Sequence, residues 1–232
     1  MVQQNDSSRW GDGKFTTDFA LQGKSSDADF GQACRFHAEV VVLWPMKTQA
    51  PGFSKEELEK MLSLLNGQLQ KIGVTGEICI VGGAAMILAF GSRESTRDID
   101  ALVMAPASVR TAAAQVAEVN GLPTNWLNDG AKGFASGQSM ETKEILKFSH
   151  LRVVAPPAEY ILAMKCLAAR VGLDEHDKED TKFLMKHIGL RSASAVLEIV
   201  EKYYPKERIP AKTQYFIQEV CDEFFPKTKD IG

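Results

Sequence analysis

The chain has 232 residues and a formal net charge of -3, and 44% of its residues are hydrophobic while 25% are charged. This composition is ordinary for a soluble globular protein, with room for one large domain or for one domain and a small helical one. It excludes overall positive charge as a means of attracting nucleic acid, although a local basic groove is compatible with it. No early apolar run is long enough for a signal peptide or a membrane span, so a cytoplasmic location is expected.

Residues 1–45 are predicted to form a disordered or loosely attached extension. Their first part is rich in Ser, Asp, Gln and Gly and shows no sustained periodicity. A short strand at 40–44 and a true start at Met46 are both compatible with the sequence. The cysteines, which are Cys34, Cys79, Cys166 and Cys221, form no C-x-x-C pair, so we expect buried thiols in a reducing compartment rather than a disulfide framework.

Residues 54–72 are predicted to form a helix. Ser54 and Glu57 have the spacing of a capping box, an apolar stripe follows at helical spacing, and Gly73 ends the segment. Further helices are predicted at 107–119, at 158–171, from 174 onwards, at 192–204 and at 211–225. Two short β-prone pieces lie within 145–155.

The stretch from residue 78 to residue 104 carries the strongest functional signal. An apolar strand at 77–81 leads into Gly82 and Gly83, a short helix, a polar loop and a second strand. Glycine at a strand-to-helix junction lets backbone N–H groups approach a phosphate, but a tight turn without a ligand has the same pattern. Residues two apart on a strand face the same side. Asp98 and Asp100 are therefore predicted to form a carboxylate pair suited to a divalent metal bound to a nucleotide triphosphate.

Five other charged positions each have two interpretations. Arg93 and Arg97 belong either to a solvated loop or to a phosphate site. Lys165 has only apolar neighbours three and four residues away on its predicted helix, so it either extends to solvent or holds a buried anion. Asp180 precedes core-facing positions by three and four residues and needs a cation, either Lys165 or a metal. Asp129 is either a ligand or, as its Asp-Gly pair favours, a turn former.

Two runs resemble a known family. Gly82-Gly83, followed by Arg93-x-x-Thr96-x-Asp98-Ile99-Asp100, resembles the signature of the nucleotidyltransferase superfamily related to DNA polymerase beta. The later run from Glu159 to Lys165, continuing to Asp177-x-x-Asp180, is similar to the second half of AbiEii-like bacterial nucleotidyltransferases, which include toxins of toxin–antitoxin pairs. The resemblance covers about residues 54–205. It implies an α/β (α+β) fold, in which a core at 46–155 has a small mixed sheet flanked by helices and a helical region at 156–232 completes the active site.

The resemblance also implies an activity, which is metal-dependent transfer of a nucleoside monophosphate from an NTP such as ATP to an acceptor. The acceptor would be an RNA end such as that of tRNA, a protein hydroxyl or a small molecule. An antitoxin protein is an implied partner, and no membrane is involved. The implied roles are triphosphate binding by Gly82 and Gly83, binding of two Mg²⁺ (or Mn²⁺) ions by Asp98 and Asp100, phosphate contact by Lys165, completion of the catalytic set by Asp180, and positioning of the loop or phosphates by Arg93 and Thr96.

The sequence departs from the family pattern at one carboxylate. Many members place a third carboxylate on a later strand, and residues 145–155 offer only Glu144 at their edge, with Asp180 or Asp129 as alternatives. A catalytically weakened nucleotide-binding or protein-interaction module on the same fold is therefore the second hypothesis. A dinucleotide-binding oxidoreductase fits less well, because the G-x-G-x-x-G spacing is missing.

Overall fold

The computed structural model describes residues 52–169 and 175–225. These residues form seven α-helices and a five-stranded sheet with helices packed around it, so the predicted mixed α+β class is confirmed. The predictions made for residues 1–45 lie outside the described residues. No helix in the described ranges is long and apolar enough to cross a membrane.

The sheet is mixed, and its strand order is not the order of the chain. Its strands are β1 (Gly76–Val81), β2 (Ile99–Ala105), β3 (Leu127–Asn128), β4 (Lys143–Lys147) and β5 (Leu151–Ala155). They lie in the order β3-β2-β1-β5-β4. The central strand β1 runs antiparallel to β2 and parallel to β5, while β3 lies parallel to the outer side of β2. The end of β2 that carries Asp100 is therefore held between β1 and β3, with Asp98 directly before the strand.

The helices form two groups. They are α1 (Lys55–Lys71), α2 (Gly82–Leu88), α3 (Ser108–Asn120), α4 (Ala158–Ala168), α5 (Glu175–Ile188), α6 (Ala193–Tyr203) and α7 (Ala211–Phe224). Helices α1 and α3 pack against each other and against the sheet, whereas α4 packs against α5, α6 and α7. The mostly apolar sequence of α4 explains this central place, because a helix that is apolar on most of its surface is stable only where other elements surround it.

Helix α1 shows how directly the sequence determines local structure here. The Ser54 hydroxyl accepts a hydrogen bond from the Glu57 N–H at 3.3 Å, and the Glu57 carboxylate accepts one from the Ser54 N–H at 2.8 Å. The predicted capping box is thus confirmed. The leucines of the apolar stripe are fully buried, and Gly73 leaves the helix with a φ of 67°. That conformation favours glycine.

The largest difference from the predicted elements lies at residues 122–134. Only a turn was predicted there, but the segment contains the two-residue strand β3 and a short 3-10 helix (Gly130–Phe134). Trp126 anchors it, because its buried indole N–H donates to the Ala113 carbonyl at 3.0 Å. So short a strand has no periodicity of its own, and its pairing with β2 is a tertiary effect.

The three described cysteines, Cys79, Cys166 and Cys221, are buried and unpaired, as predicted. Burial raises the pKa of the Cys79 thiol to about 11, so this group stays protonated and inert at neutral pH. Cys34 lies outside the described residues.

Candidate active site

A cavity of about 740 Å³ opens beside the ends of β1 and β2. It collects residues from the glycine turn, the polar loop, β2, the 3-10 helix, α4 and the start of α5. Of the eight predicted site residues, seven line it, and these are Gly82, Gly83, Arg93, Thr96, Asp98, Asp100 and Lys165. Positions as much as 83 residues apart in the sequence thus meet at one cavity.

Glycine is required at the turn between β1 and α2 because other chain segments approach it closely. Gly82 has a φ of 62°, and a Cβ atom there would lie 2.9 Å from an Asp100 carboxylate oxygen. A Cβ atom on Gly83 would lie 2.9 Å from the Cβ atom of Thr96. The turn therefore presents bare backbone to the cavity, next to the aspartate strand and the polar loop.

The two aspartates lie together at the sheet end of the cavity, as predicted. Asp100 on β2 pairs in register with Val81, the last residue of β1, and Asp98 immediately precedes the strand. Burial, and then the charge of Asp98, raise the pKa of the Asp100 carboxyl to about 6. Burial also raises the pKa of Asp98. Both carboxylates are thus held in a place that disfavours their charge unless a cation joins them.

This donor pair is chemically suited to a hard divalent cation, because Mg²⁺ and Mn²⁺ prefer carboxylate oxygens and commonly share one or two protein carboxylates with substrate phosphates. Residues 52–169 and 175–225 contain no group of three or more His, Cys, Asp or Glu side chains placed to hold a metal ion. The pair would therefore need oxygen ligands from another molecule to complete a coordination shell.

Lys165 holds a buried anion and does not extend to solvent. Its Nζ atom lies 2.7 Å from an Asp180 carboxylate oxygen and 3.2 Å from an Asp177 carboxylate oxygen. The same Asp180 oxygen lies 3.4 Å from Nη1 of Arg93. Asp180 is only 4% exposed and does not line the cavity. It forms ion pairs with two cations that line the cavity. The cation predicted for this buried aspartate is therefore Lys165, and Arg93 is a second one.

The other carboxylates considered as a third acidic residue point elsewhere. Asp129 forms ion pairs with Lys132 at 2.9 Å and Arg110 at 3.0 Å. Glu144 pairs with Arg152 at 3.0 Å on the exposed face of the sheet. Neither residue lines the cavity. The turn interpretation of Asp129 agrees with its place directly before the 3-10 helix.

Three residues near the cavity were not assigned a role from the sequence. Asn128 on β3 donates a hydrogen bond to Asp98 at 3.0 Å. Asp177 lines the cavity beside Lys165, and Phe134 forms part of an apolar wall with Ile161 and Met164. Asn128 belongs to an Asn-Asp-Gly run, which is typical of a turn, so the sequence indicated no role for its side chain at the site. The four-residue interval between Ile161 and Lys165 is the local signal that one face of α4 reaches the site.

In comparisons with known proteins, the chain matches no family model, no curated protein and no solved structure. The class that the described residues define is a mixed α+β domain with a carboxylate pair, a glycine turn and three cationic side chains around one cavity.

Proposed function

We propose that this protein is a metal-dependent nucleotidyltransferase that moves a nucleoside monophosphate from an NTP to an acceptor. One observation carries the proposal, which is the meeting of the glycine turn, the aspartate pair and Lys165 in a single cavity. The resemblance of the sequence motifs to the polymerase-beta-related superfamily gives the same expectation independently of this geometry.

The polar half of the cavity is suited to a triphosphate. Asp180 holds Lys165 and Arg93 in place before any ligand binds. Both can therefore donate charge-assisted hydrogen bonds to phosphate oxygens with little further loss of side-chain entropy. The backbone at Gly82 and Gly83 offers a surface without side chains for close approach of the phosphates. The role of Asp180 in this proposal is to position the two cations.

Asp98 and Asp100 would hold the divalent metal, which supplies positive charge against the triphosphate when it is bound. In the reaction, an acceptor oxygen forms a bond to the α-phosphorus while the bond from that phosphorus to the β-phosphate bridging oxygen breaks. Pyrophosphate leaves, and the acceptor hydroxyl releases its proton to the solvent. The protein's own contribution is to hold and orient the reacting groups and to stabilise the charge that develops.

The apolar half of the cavity is suited to a nucleobase. Phe134 is 38% exposed although it is a large hydrophobic residue, and it lines the cavity together with Met164. Its backbone carbonyl accepts a hydrogen bond from the Tyr204 hydroxyl at 2.6 Å, which ties the 3-10 helix to the end of α6. An exposed aromatic side chain on a tethered segment can stack on a base of any identity, so this wall supports binding of nucleotides without selecting one of them.

The proposal is tested by incubating the protein with each α-³²P-labelled NTP, Mg²⁺ and a cell extract that contains RNA, proteins and small molecules. We expect the label to move to one acceptor class, and the Asp98→Ala variant to lose roughly 10²-fold or more of the rate, as on removal of a main electrostatic stabiliser. The Asp129→Ala variant is the matched control, because this aspartate is exposed and outside the cavity. Equal transfer by folded Asp98→Ala protein would refute the assignment.

The acceptor class is read from the fraction that carries the label. Transfer to RNA that weakens steeply with salt would identify a nucleic-acid acceptor, whereas salt-insensitive transfer to a small molecule would identify a small-molecule transferase. Protein labelling would identify a hydroxyl side chain as the acceptor. The family resemblance is what supports a toxin role with an antitoxin partner.

One observation favours a second candidate function, a nucleotide-binding or protein-interaction module without turnover. The described residues bring only two carboxylates to the end of β2, and the neighbouring strand contributes the amide of Asn128. Calorimetric binding of an NTP with no label transfer to any fraction would support this module instead of the enzyme.

A further inference from the structure

The side chain of Asn128 is fixed in one orientation beside the aspartate pair. Its amide oxygen accepts a hydrogen bond from the Gly130 N–H at 2.8 Å. Its amide nitrogen donates to Asp98 at 3.0 Å and to the Asn125 carbonyl at 3.3 Å. A flipped amide would place its oxygen against the Asp98 carboxylate and its N–H₂ group against another N–H, so the hydrogen bonds define which atom lies where.

This orientation has a chemical consequence for the aspartate pair. In β3, Asn128 pairs in register with Asp100 of the parallel strand β2, so it is the side chain that the sheet places next to both carboxylates. The amide turns its oxygen towards the Gly130 N–H, and it turns towards Asp98 its nitrogen, which cannot ligate a cation. Asn128 therefore orients Asp98 but adds neither a charge nor an oxygen ligand.

We infer that Asn128 is a positioning residue that holds Asp98 for metal binding and leaves only two carboxylates at the end of β2 among the described residues, so that metal binds appreciably only together with a triphosphate. The inference rests on the proposed function. The ion pairs of the site agree with it. Lys165 and Arg93 are already paired with Asp180, and Lys165 is also paired with Asp177. A bare triphosphate therefore meets cations whose charge is partly compensated, whereas its complex with a metal ion also binds the two aspartates.

The test uses two probes on the whole protein. The first is Mn²⁺ alone, followed by the loss of the free-ion electron paramagnetic resonance signal. The second is the preformed Mn²⁺ complex of α,β-methylene-ATP, followed by calorimetry, because this analogue cannot transfer its nucleotide. For the wild type we expect the complex to bind at least tenfold more tightly than Mn²⁺ alone.

Two substitutions separate the parts of the inference. Asn128→Asp adds a carboxylate beside the pair, and we expect it to tighten binding of Mn²⁺ alone by about tenfold, because the number of charged ligands tunes affinity for such cations. Asn128→Ala removes the support of Asp98, and we expect it to weaken binding of the Mn²⁺–nucleotide complex by about tenfold, as for other residues that orient metal ligands. Neither expectation follows from a role in folding alone.

Asn125→Asp is the matched control. It makes the same chemical change three residues earlier, at an exposed position that does not line the cavity, and both affinities should stay at the wild-type values. Wild-type protein that binds Mn²⁺ alone as tightly as the complex would overturn the inference while leaving the metal site itself in place. Wild-type protein that binds neither probe would overturn the proposed function as well. If Asn128→Asp does not fold, unchanged binding of the complex by folded Asn128→Ala overturns the inference.

Discussion

The raised pKa of the Asp100 carboxyl leads to a prediction about protein stability that can be tested without a catalytic assay. Its pKa is raised from the ordinary value of 3.8 to about 6, because the group is half-buried and lies near the charge of Asp98. Between these two pH values the folded protein binds more protons at this site than the unfolded chain does. By linkage, this group therefore lowers the free energy of unfolding as the pH rises from 4 to 6, and the loss is complete above pH 6.

The expected magnitude follows from the same numbers. A pKa of about 6 in place of 3.8 corresponds to ~3 kcal/mol. Solvent that reaches the half-buried carboxyl reduces this to roughly 1–2 kcal/mol. Replacing Asp100 with asparagine removes the charge with little change of shape. The Asp100→Asn variant should thus be more stable than the wild type at pH 8 without metal, with a Tm higher by about 3–6 °C for a domain of this size.

The assay is thermal and urea unfolding in the presence of a chelator, at several pH values between 4 and 8. The stability difference should be near zero at pH 4 and grow towards pH 6. Asp129→Asn is a control of opposite sign, because hydrogen bonds from Lys132 and Arg110 hold the pKa of that exposed carboxyl below its usual value. Asp129 thus contributes stability above its usual pKa that is lost as the pH falls, so this variant gains nothing at pH 8. An Asp100→Asn protein that is no more stable than the wild type at pH 8 would refute the electrostatic argument.

Three further predictions concern the surroundings of the aspartates. Asp180→Asn should lower the free energy of unfolding by roughly 2–3 kcal/mol. This is less than the usual cost of removing one partner of a buried ion pair, because Lys165 keeps a second carboxylate partner; unchanged urea unfolding would contradict this. Gly83→Ala should lower the free energy of unfolding by about 1–3 kcal/mol through overpacking. Gly67→Ala is its control, because the space around its Cβ position inside α1 is open, and it should raise the free energy of unfolding by about 0.5–1 kcal/mol. Equal shifts of the melting temperature in the two variants would count against the close approach at the turn. Phe134→Ala should weaken the affinity for ATP, measured by calorimetry, by about tenfold, or ~1.4 kcal/mol. The affinity for tripolyphosphate, which has no base, should stay unchanged. Equal losses for both ligands would contradict a base-binding wall.

The parts of the site that the sequence predicts correctly are those built from neighbouring residues. The glycine turn and the aspartates lie within one strand–turn–helix–strand unit of fewer than thirty residues, where the two-residue period of a strand and the conformational freedom of glycine decide the geometry. β1 and β2 pair directly, as consecutive elements usually do, so the turn and Asp100 are brought together without help from the rest of the chain.

The parts that the sequence does not predict depend on which distant segments meet. The pairing of Lys165 with Asp180 follows from the packing of α4 against α5, and the periodicity of either helix leaves both alternatives for the lysine open. The family resemblance implies a third carboxylate on a later strand, and the β-prone run at 145–155 is the longer candidate for that strand. The structure instead places the two-residue strand β3 beside β2, so the position next to the aspartates belongs to Asn128.

The arrangement of the sheet explains how two like charges are kept together in a partly buried place. Backbone pairing holds Asp100 between Val81 on β1 and Asn128 on β3, so the backbone of Asp100 cannot move away from that of Asp98 without breaking the ladder on both sides. The repulsion is therefore a cost that the folded state carries and a bound cation relieves. A ligand that binds only the folded state raises its stability by mass action. Metal and nucleotide should thus stabilise the wild type most at pH values above 6, where the carboxyl of Asp100 is ionised and the repulsion is largest.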